Sequence, residues 1–270
     1  MHSMSERVNC TISNGVADVR MTRPDKMNAL DAAMFTALCE TGEQLKSAKG
    51  LRAVVLSGEG RSFCAGLDLG SFQAMAAPVD GSPSALALTP GGLTHRAQQV
   101  CWVWQEIAVP VIAAVHGAAL GGGAQIALGA DIRIVAPDMK FSILEIRWGL
   151  IPDMTGTFRL AQLVRPDVAL ELAATGRMID GTEAVQLGIA TRVSMNPLED
   201  ALALAHEIAS KSPAAIRGLK GLLAKAYAGA DAATQFADER RVIGTLIGSP
   251  QQVESVMAYF EKRPAVFSDE

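Results

Sequence analysis

Two glycine-rich turns and two carboxylates are the residues of this chain best placed to do chemistry. One turn, Ser62–Leu69 (SFCAGLDL), follows a short apolar stretch. The other, Gly121-Gly122-Gly123, follows a second such stretch and opens a helix. A helix N-terminus presents N–H groups without intrahelical acceptors, at the positive end of the helix dipole. If the two turns lie side by side, their N–H groups can hold one developing oxyanion, and each such donor lowers a barrier by about 3–4 kcal/mol. The alternative is that the glycines serve only close packing. Glu145 stands between Leu144 and Ile146, and burial there would raise its pKa towards that of a useful base. Asp153 follows Pro152. It is either a second carboxylate of the same site or the cap of a helix beginning near Thr155.

Other catalytic signatures fail. Gly121-Gly122-Gly123-Ala124-Gln125-Ile126 lacks the last glycine of a dinucleotide fingerprint, and Gly117 to Gly122 is followed by Gly123, not by the lysine of a phosphate-binding loop. No GxSxG nucleophile elbow occurs. Cys64 has no evident histidine partner, which argues against a nucleophilic role. His116 reads as a packed structural histidine. The four Cys and four His share no zinc-ligand spacing, so no metal site is expected.

The elements that must position these residues alternate strand and helix. Val8 to Met21 is a hairpin turning at Asn14-Gly15. Asp31 caps a helix whose Met34, Leu38, Thr41 and Leu45 recur at helical spacing. Arg52–Ser57, Val111–Val115 and Asp131–Val135 are short apolar strands of the kind buried in parallel sheets, with a helix over Gln98 to Ile107 and another over Ala124–Gly129. Residues 70–95 are rich in Pro, Gly, Ser and Ala, and such long segments are either functional lids or disordered. Beyond about residue 195, helices are expected over Pro197–Lys211, Pro213–Ala228, Asp231–Ile247 and Pro250–Glu261, three of them with proline near the start.

Composition sets outer bounds. The 270 residues are 49% hydrophobic but only 5% aromatic, with 25 Gly. That is enough apolar surface to build a large core and excludes a disordered chain. A net charge of −4 without a basic stripe argues against a nucleic-acid partner. The apolar run from Ile107 to Leu120 is broken by Pro110 and His116 and is shorter than the ~20 residues a bilayer needs. No secretory leader is visible. The expectation is a cytoplasmic protein with free thiols and no membrane partner.

Taken together, Phe63–Leu69, His116–Gly123 and Phe141–Gly149 resemble the crotonase, or enoyl-CoA hydratase/isomerase, superfamily. Arg23-Pro24 with Asn28-Ala29-Leu30 is similar to its N-terminal RPxxxNAL segment, and Phe260-Glu261-Lys262-Arg263 to its C-terminal FxEKR signature. The resemblance spans nearly the whole chain. It implies an α/β fold: a spiral of ββα repeats over residues 1–195, followed by a helical oligomerisation region over 196–270, assembled as a homotrimer or homohexamer. It also implies an acyl-CoA thioester substrate, with coenzyme A as part of the substrate and no separate cofactor. By motif position, the oxyanion-hole N–H groups are those of Leu67 and Gly122. Ala65, Gly66 and Asp68 lie at the CoA-binding loop, and Arg23, Lys26 and Lys262 are candidates for its phosphates. Lys262 would reach a neighbouring subunit or else be a solvated tail residue. Gln125 reads as a polar group lining the pocket or a plain helix residue, Trp148 as pocket wall or packing, and Phe72, Met75 and Met139 as lining of an acyl tunnel or as core.

One departure from the family pattern bears on the reaction. Family hydratases carry two glutamates. The first is separated from the glycine run by one residue, and Gln125 stands there; the second lies twenty residues further, where Glu145 is retained. Hydration needs one group to activate water and one to deliver a proton to C2, and a glutamine cannot accept the water's proton. Isomerisation needs only one base, which removes a proton from C2 and returns it at C4. Asp153 also matches the aspartate of family dienoyl-CoA isomerases, although those enzymes carry a further aspartate where Gln125 stands. The resemblance therefore implies an isomerase of 3-enoyl- or 3,5-dienoyl-CoA with Glu145 and Asp153 as proton carriers. Two alternatives stay open: a 2-enoyl-CoA hydratase with a single glutamate, and an acyl-CoA-binding subunit without catalysis.

Overall fold

The computed structural model describes residues 2–4, 6–68, 70, 86–89 and 92–268. Phe72, Met75 and most of the 70–95 segment lie outside the described residues.

The hairpin forms as its turn chemistry requires. Strands β2 (Val8–Ser13) and β3 (Val16–Met21) pair antiparallel with Ser13 opposite Val16. Asn14 and Gly15 both take positive φ, 50° and 78°, the conformation a two-residue hairpin turn demands. A short strand β1 (His2–Met4) adds to the outer edge. From β3 the sheet continues in parallel through β4 (Ala53–Gly58), β5 (Val111–Val115), β7 (Ile132–Val135) and β9 (Arg192–Val193).

A second, smaller ladder makes the architecture a spiral. After β5 the chain turns at His116-Gly117 into β6 (Ala118–Leu120), which pairs in parallel with β8 (Lys140–Ser142). Isolated bridges extend this ladder on both sides, Cys64 to Ala119 and Phe141 to Ile179. Each turn thus contributes one strand to the large sheet and a short strand or bridge to the ladder. Helices close the turns: α1 (Ala32–Lys46), α2 (Arg96–Glu106) and α3 (Gly122–Gly129). Asp31 caps α1 as expected, accepting from Met34 N–H at 2.8 Å.

The central strands are buried on both faces, which is why they read as continuous apolar runs. Val54, Leu56, Val111 and Ala113 face the main core with Phe63, Trp104 and Leu128. Ala53, Val55, Ile112 and Ala114 face the other way, onto Ala201, Ala205 and Ala209 of helix α7 (Pro197–Ala209). Those alanines recur every four residues, and their small side chains let the helix lie close on the sheet. The first helix of the expected tail is therefore part of the spiral body.

Between β8 and β9 the chain is mostly helical. A 3-10 turn (Glu145–Trp148) and the short helices α4 (Gly156–Leu163), α5 (Pro166–Thr175) and α6 (Gly181–Leu187) occupy that stretch. The remaining tail helices are α8 (Pro213–Tyr227), α9 (Ala232–Leu246) and α10 (Pro250–Phe260). No residue of α9 is buried, and Phe236, Ile243, Ile247, Tyr259 and Phe260 are exposed.

Candidate active site

The site is assembled where three consecutive turns of the spiral meet. Leu30 and Leu67 form a parallel bridge in which Leu30 N–H donates to Gly66 C=O and Asp68 N–H to Leu30 C=O. In that pattern the N–H of Leu67 points away from Leu30, and it has no acceptor among the described residues. The loop is pressed against the start of α3. A Cβ on Gly66 would stand 2.5 Å from Leu120 O and 3.6 Å from Gly122 N, and φ there is +87°. Only glycine meets both conditions. Gly122 is the first residue of α3, so its N–H has no intrahelical acceptor. Leu67 N–H and Gly122 N–H, the pair the resemblance implied, are thus two donors without acceptors among the described residues, on segments that touch at Gly66.

Glu145 opens the 3-10 turn after β8. A Cβ on Gly121 would lie 3.3 Å from Glu145 Oε1, so the carboxylate sits directly over the N-cap of α3. Gly121 holds φ 51° and ψ −119°, a region closed to other residues. Glu145 Oε1 accepts a hydrogen bond from Gln125 Nε2 at 2.6 Å. Its Oε2 is buried and has no partner among the described residues. Burial pushes the carboxyl above its ordinary range. Its own backbone N–H and the Gln125 amide pull partly back, and the charge of Asp153 adds to the upward push.

Gln125 is fully buried. Its Oε1 accepts from two backbone donors, Met154 N–H and Gly156 N–H, both at 2.9 Å. The resemblance implied that Gln125 lines the pocket; the structure gives it no exposed surface and engages both ends of its amide with protein. Asp153 is exposed and lines a cavity of about 420 Å³ together with Thr94, Gln98, Trp102, Thr155 and Phe158. It does not cap a helix: α4 begins at Gly156 with Thr155 as its N-cap, and no side chain caps it. Trp148 is half exposed.

The residues expected near coenzyme A fall into two groups. Arg23 and Asp68 are joined to each other, Nη1 to Oδ2 at 2.7 Å, and Arg23 also donates to Ala29 C=O. The guanidinium and the Gly70 N–H hold the Asp68 carboxyl below its usual range. The pair ties the Ser62–Asp68 loop to the end of β3. Lys26 and Lys262 are exposed, and Lys262 has φ 54°. Ala65 and Gly66 lie in the loop itself, with Ala65 N–H donating to Met27 C=O.

Cys64 is buried, donates its Sγ–H to Asn28 C=O at 3.1 Å, and has its thiol pushed up to about 12 by burial. It is no nucleophile. His116 is half-buried and its Nε2 hydrogen-bonds Gly60 C=O at 2.9 Å. Met139 is a core residue. Sequence reasoning missed Met154, Thr155 and Gly156. Met154 packs against Gly122, where a Cβ would lie 3.0 Å from its Sδ. Thr155 has φ 71°, and its hydroxyl is buried without a partner among the described residues. A Cβ on Gly156 would stand 2.6 Å from Gln125 Oε1. Gly156 was the only sequence sign of this close approach, and one glycine is too common to read.

Among the described residues no cluster of three or more metal-ligating side chains occurs, and no helix is long and apolar enough to cross a membrane. The arrangement offers two N–H donors for an oxyanion and, beside them, one buried carboxylate with a free oxygen.

The chain is similar to proteins of one known family. A family model described as enoyl-CoA hydratase/isomerase matches residues 11–270. A Bacillus subtilis protein named "Probable enoyl-CoA hydratase" is 34% identical over 250 residues, covering 90% of this chain and 92% of the relative. The mitochondrial Delta(3,5)-Delta(2,4)-dienoyl-CoA isomerase of Mus musculus is 33% identical over 210 residues, 76% of this chain and 64% of that protein. The crystal structure of an enoyl-CoA hydratase from Bacillus anthracis superposes with a TM-score of 0.87 at 28% identity, covering 98% of this chain and all of that one.

Proposed function

The chain belongs to the enoyl-CoA hydratase/isomerase family, the crotonase superfamily, and on that premise we propose that it shifts a double bond in an unsaturated acyl-CoA thioester, with Glu145 as the proton carrier. The observation that carries this reading is the single free carboxylate oxygen. Glu145 Oε2 has no partner among the described residues, while the Gln125 amide is already engaged at both ends. Hydration by two glutamates needs a carboxylate base where Gln125 stands, and a neutral amide cannot take up the water's proton.

In the proposed reaction the thioester carbonyl oxygen accepts from Leu67 and Gly122 N–H. Glu145 removes a proton from C2, the charge moves onto that oxygen as a dienolate, and the same carboxyl returns the proton at C4. With a 3,5-dienoyl substrate Asp153 serves as the second proton carrier, and the cavity it lines receives the far part of the acyl chain. No cofactor enters the scheme, since coenzyme A arrives with the substrate. Lys26 and a neighbouring subunit's Lys262 contact its phosphates. Trp148 forms pocket wall, and Arg23 with Asp68 supports the CoA loop from behind. The exposed apolar side chains of α8 to α10 support a homotrimer or a dimer of trimers. Four free thiols accord with the reducing cytoplasm.

A second reading keeps hydration. It is favoured by the names of the Bacillus relatives, and it requires Glu145 to perform both proton transfers. The test presents 3-enoyl-, 3,5-dienoyl- and 2-enoyl-CoA to the wild type, to Glu145→Gln and to Asp153→Asn. The isomerase reading expects no turnover of any substrate in Glu145→Gln, and loss of 3,5-dienoyl-CoA turnover alone in Asp153→Asn. Full activity in Glu145→Gln would remove it from the mechanism.

A further inference from the structure

We propose that Gln125 is a positioning residue: it holds the Glu145 carboxylate and the turn carrying Asp153 in one fixed arrangement, and touches neither substrate nor water. The proposal rests on Glu145 being the base of the reading above. Its evidence is the direction of one amide. An amide has an acceptor end and a donor end. Two backbone donors, Met154 N–H and Gly156 N–H, converge on one end at 2.9 Å each, so that end is Oε1. The NH2 end must then face Glu145, where it donates to Oε1 at 2.6 Å. Rotation would set N–H against N–H twice and oxygen against oxygen once. Full burial leaves the amide no solvent to turn towards.

Two consequences follow. Glu145 is left with Oε2 alone for a substrate proton. The Pro152–Gly156 turn is fixed from its inner side, which holds Asp153 at the cavity and Thr155 at its positive φ. Gln125 also favours the ionised form of Glu145. The charged group that acts on Glu145 from a neighbouring element is Asp153, on the turn before α4; the Cys101 thiol of α2, pushed up first by burial, feels the Glu145 charge in turn.

Two variants separate this role from bulk packing. Gln125→Met keeps the volume and removes both ends of the amide. Gln125→Glu keeps the acceptor for the two backbone donors and replaces the donor with an oxygen that donates only when protonated. The first readout is the Glu145 carboxyl titration in the free protein, followed by carbon-13 NMR of carboxyl-labelled glutamate and assigned with Glu145→Gln. In Gln125→Met the titration should move to higher pH by on the order of one unit; an unmoved titration overturns the proposal. The second readout is the pH profile. Gln125→Met should lose about tenfold or more in kcat with KM within about twofold. Gln125→Glu should work best relative to wild type at acid pH, where the pair shares a proton, and fall away as both carboxyls ionise and repel. A ratio to wild type that is constant with pH overturns the proposal, and this arm stands even if Gln125→Met does not fold. A shifted titration without double-bond movement in the wild type would count against the isomerase reading and leave the positioning role intact.

Discussion

Glu145 carries a charge in a place that disfavours it, and most of what the site does follows from that. Burial and Asp153 raise its pKa, Gln125 moderates the rise, and the buried Oε2 is left without a partner among the described residues. The base must be ionised to work, so kcat/KM should climb with pH through a limb above the ordinary carboxylate range and then level off; a limb near 4.5 would contradict this. The same shift bears on stability. A folded pKa raised above the unfolded one stabilises the fold below the unfolded value, and that contribution is lost as pH rises through the folded value. Glu145→Gln should therefore raise the melting temperature at pH 8 and do little near pH 4, as thermal unfolding at the two pH values would show. The position of Glu145, twenty residues beyond Gln125, was legible in the sequence. The direction of the Gln125 amide was not, because it is set by backbone donors of Met154 and Gly156 that only the folded chain brings into reach.

The elements around the site owe their placement to close approach rather than to strong local propensity. Gly66 touches the carbonyl of Leu120 where a Cβ would stand at 2.5 Å, with φ +87°. Gly66→Ala should cost on the order of 1–3 kcal/mol of stability. It should lower kcat more than it raises KM, because the Leu67 donor moves away from Gly122; denaturant unfolding and steady-state kinetics would read the two effects. On the opposite face, Ala205 is fully buried between α7 and the sheet. Ala205→Leu overfills that contact and should destabilise by about 1–3 kcal/mol with activity per folded molecule retained. Strands β4, β5 and β7 were readable because both their faces are apolar. Strands β6 and β8 were not: three residues each, they carry no period of their own and exist because successive turns stack at Ala119 and Phe141. Asp153 illustrates the limit. Its proximity to a helix start suggested a cap, while the chain uses Thr155 in a left-handed conformation there.

At the scale of the molecule, the high content of small and aliphatic residues has two destinations. Inside, alanine and glycine let α7 and the turns of the spiral approach closely. Outside, the tail helices keep Phe236, Ile243, Ile247, Tyr259 and Phe260 exposed on a single chain. Large apolar side chains left exposed on the tail helices are the kind of surface a protein–protein contact covers, so under the proposed assembly sedimentation at micromolar concentration should give three or six chains per particle. A monomer would contradict the assembly. The helical tail was visible in the sequence from its proline-led starts, but its first helix proved to belong to the body, because pairing with β3, β4, β5 and β7 is a long-range contact that no local window contains.

The most direct test of the account is product analysis by mass and absorbance after the wild-type protein meets 3-enoyl-CoA and 2-enoyl-CoA of the same chain length. The account predicts that 3-enoyl-CoA becomes its conjugated 2-enoyl isomer at unchanged mass, far faster than 2-enoyl-CoA gains the mass of one water. Hydration of 2-enoyl-CoA outpacing isomerisation would contradict it.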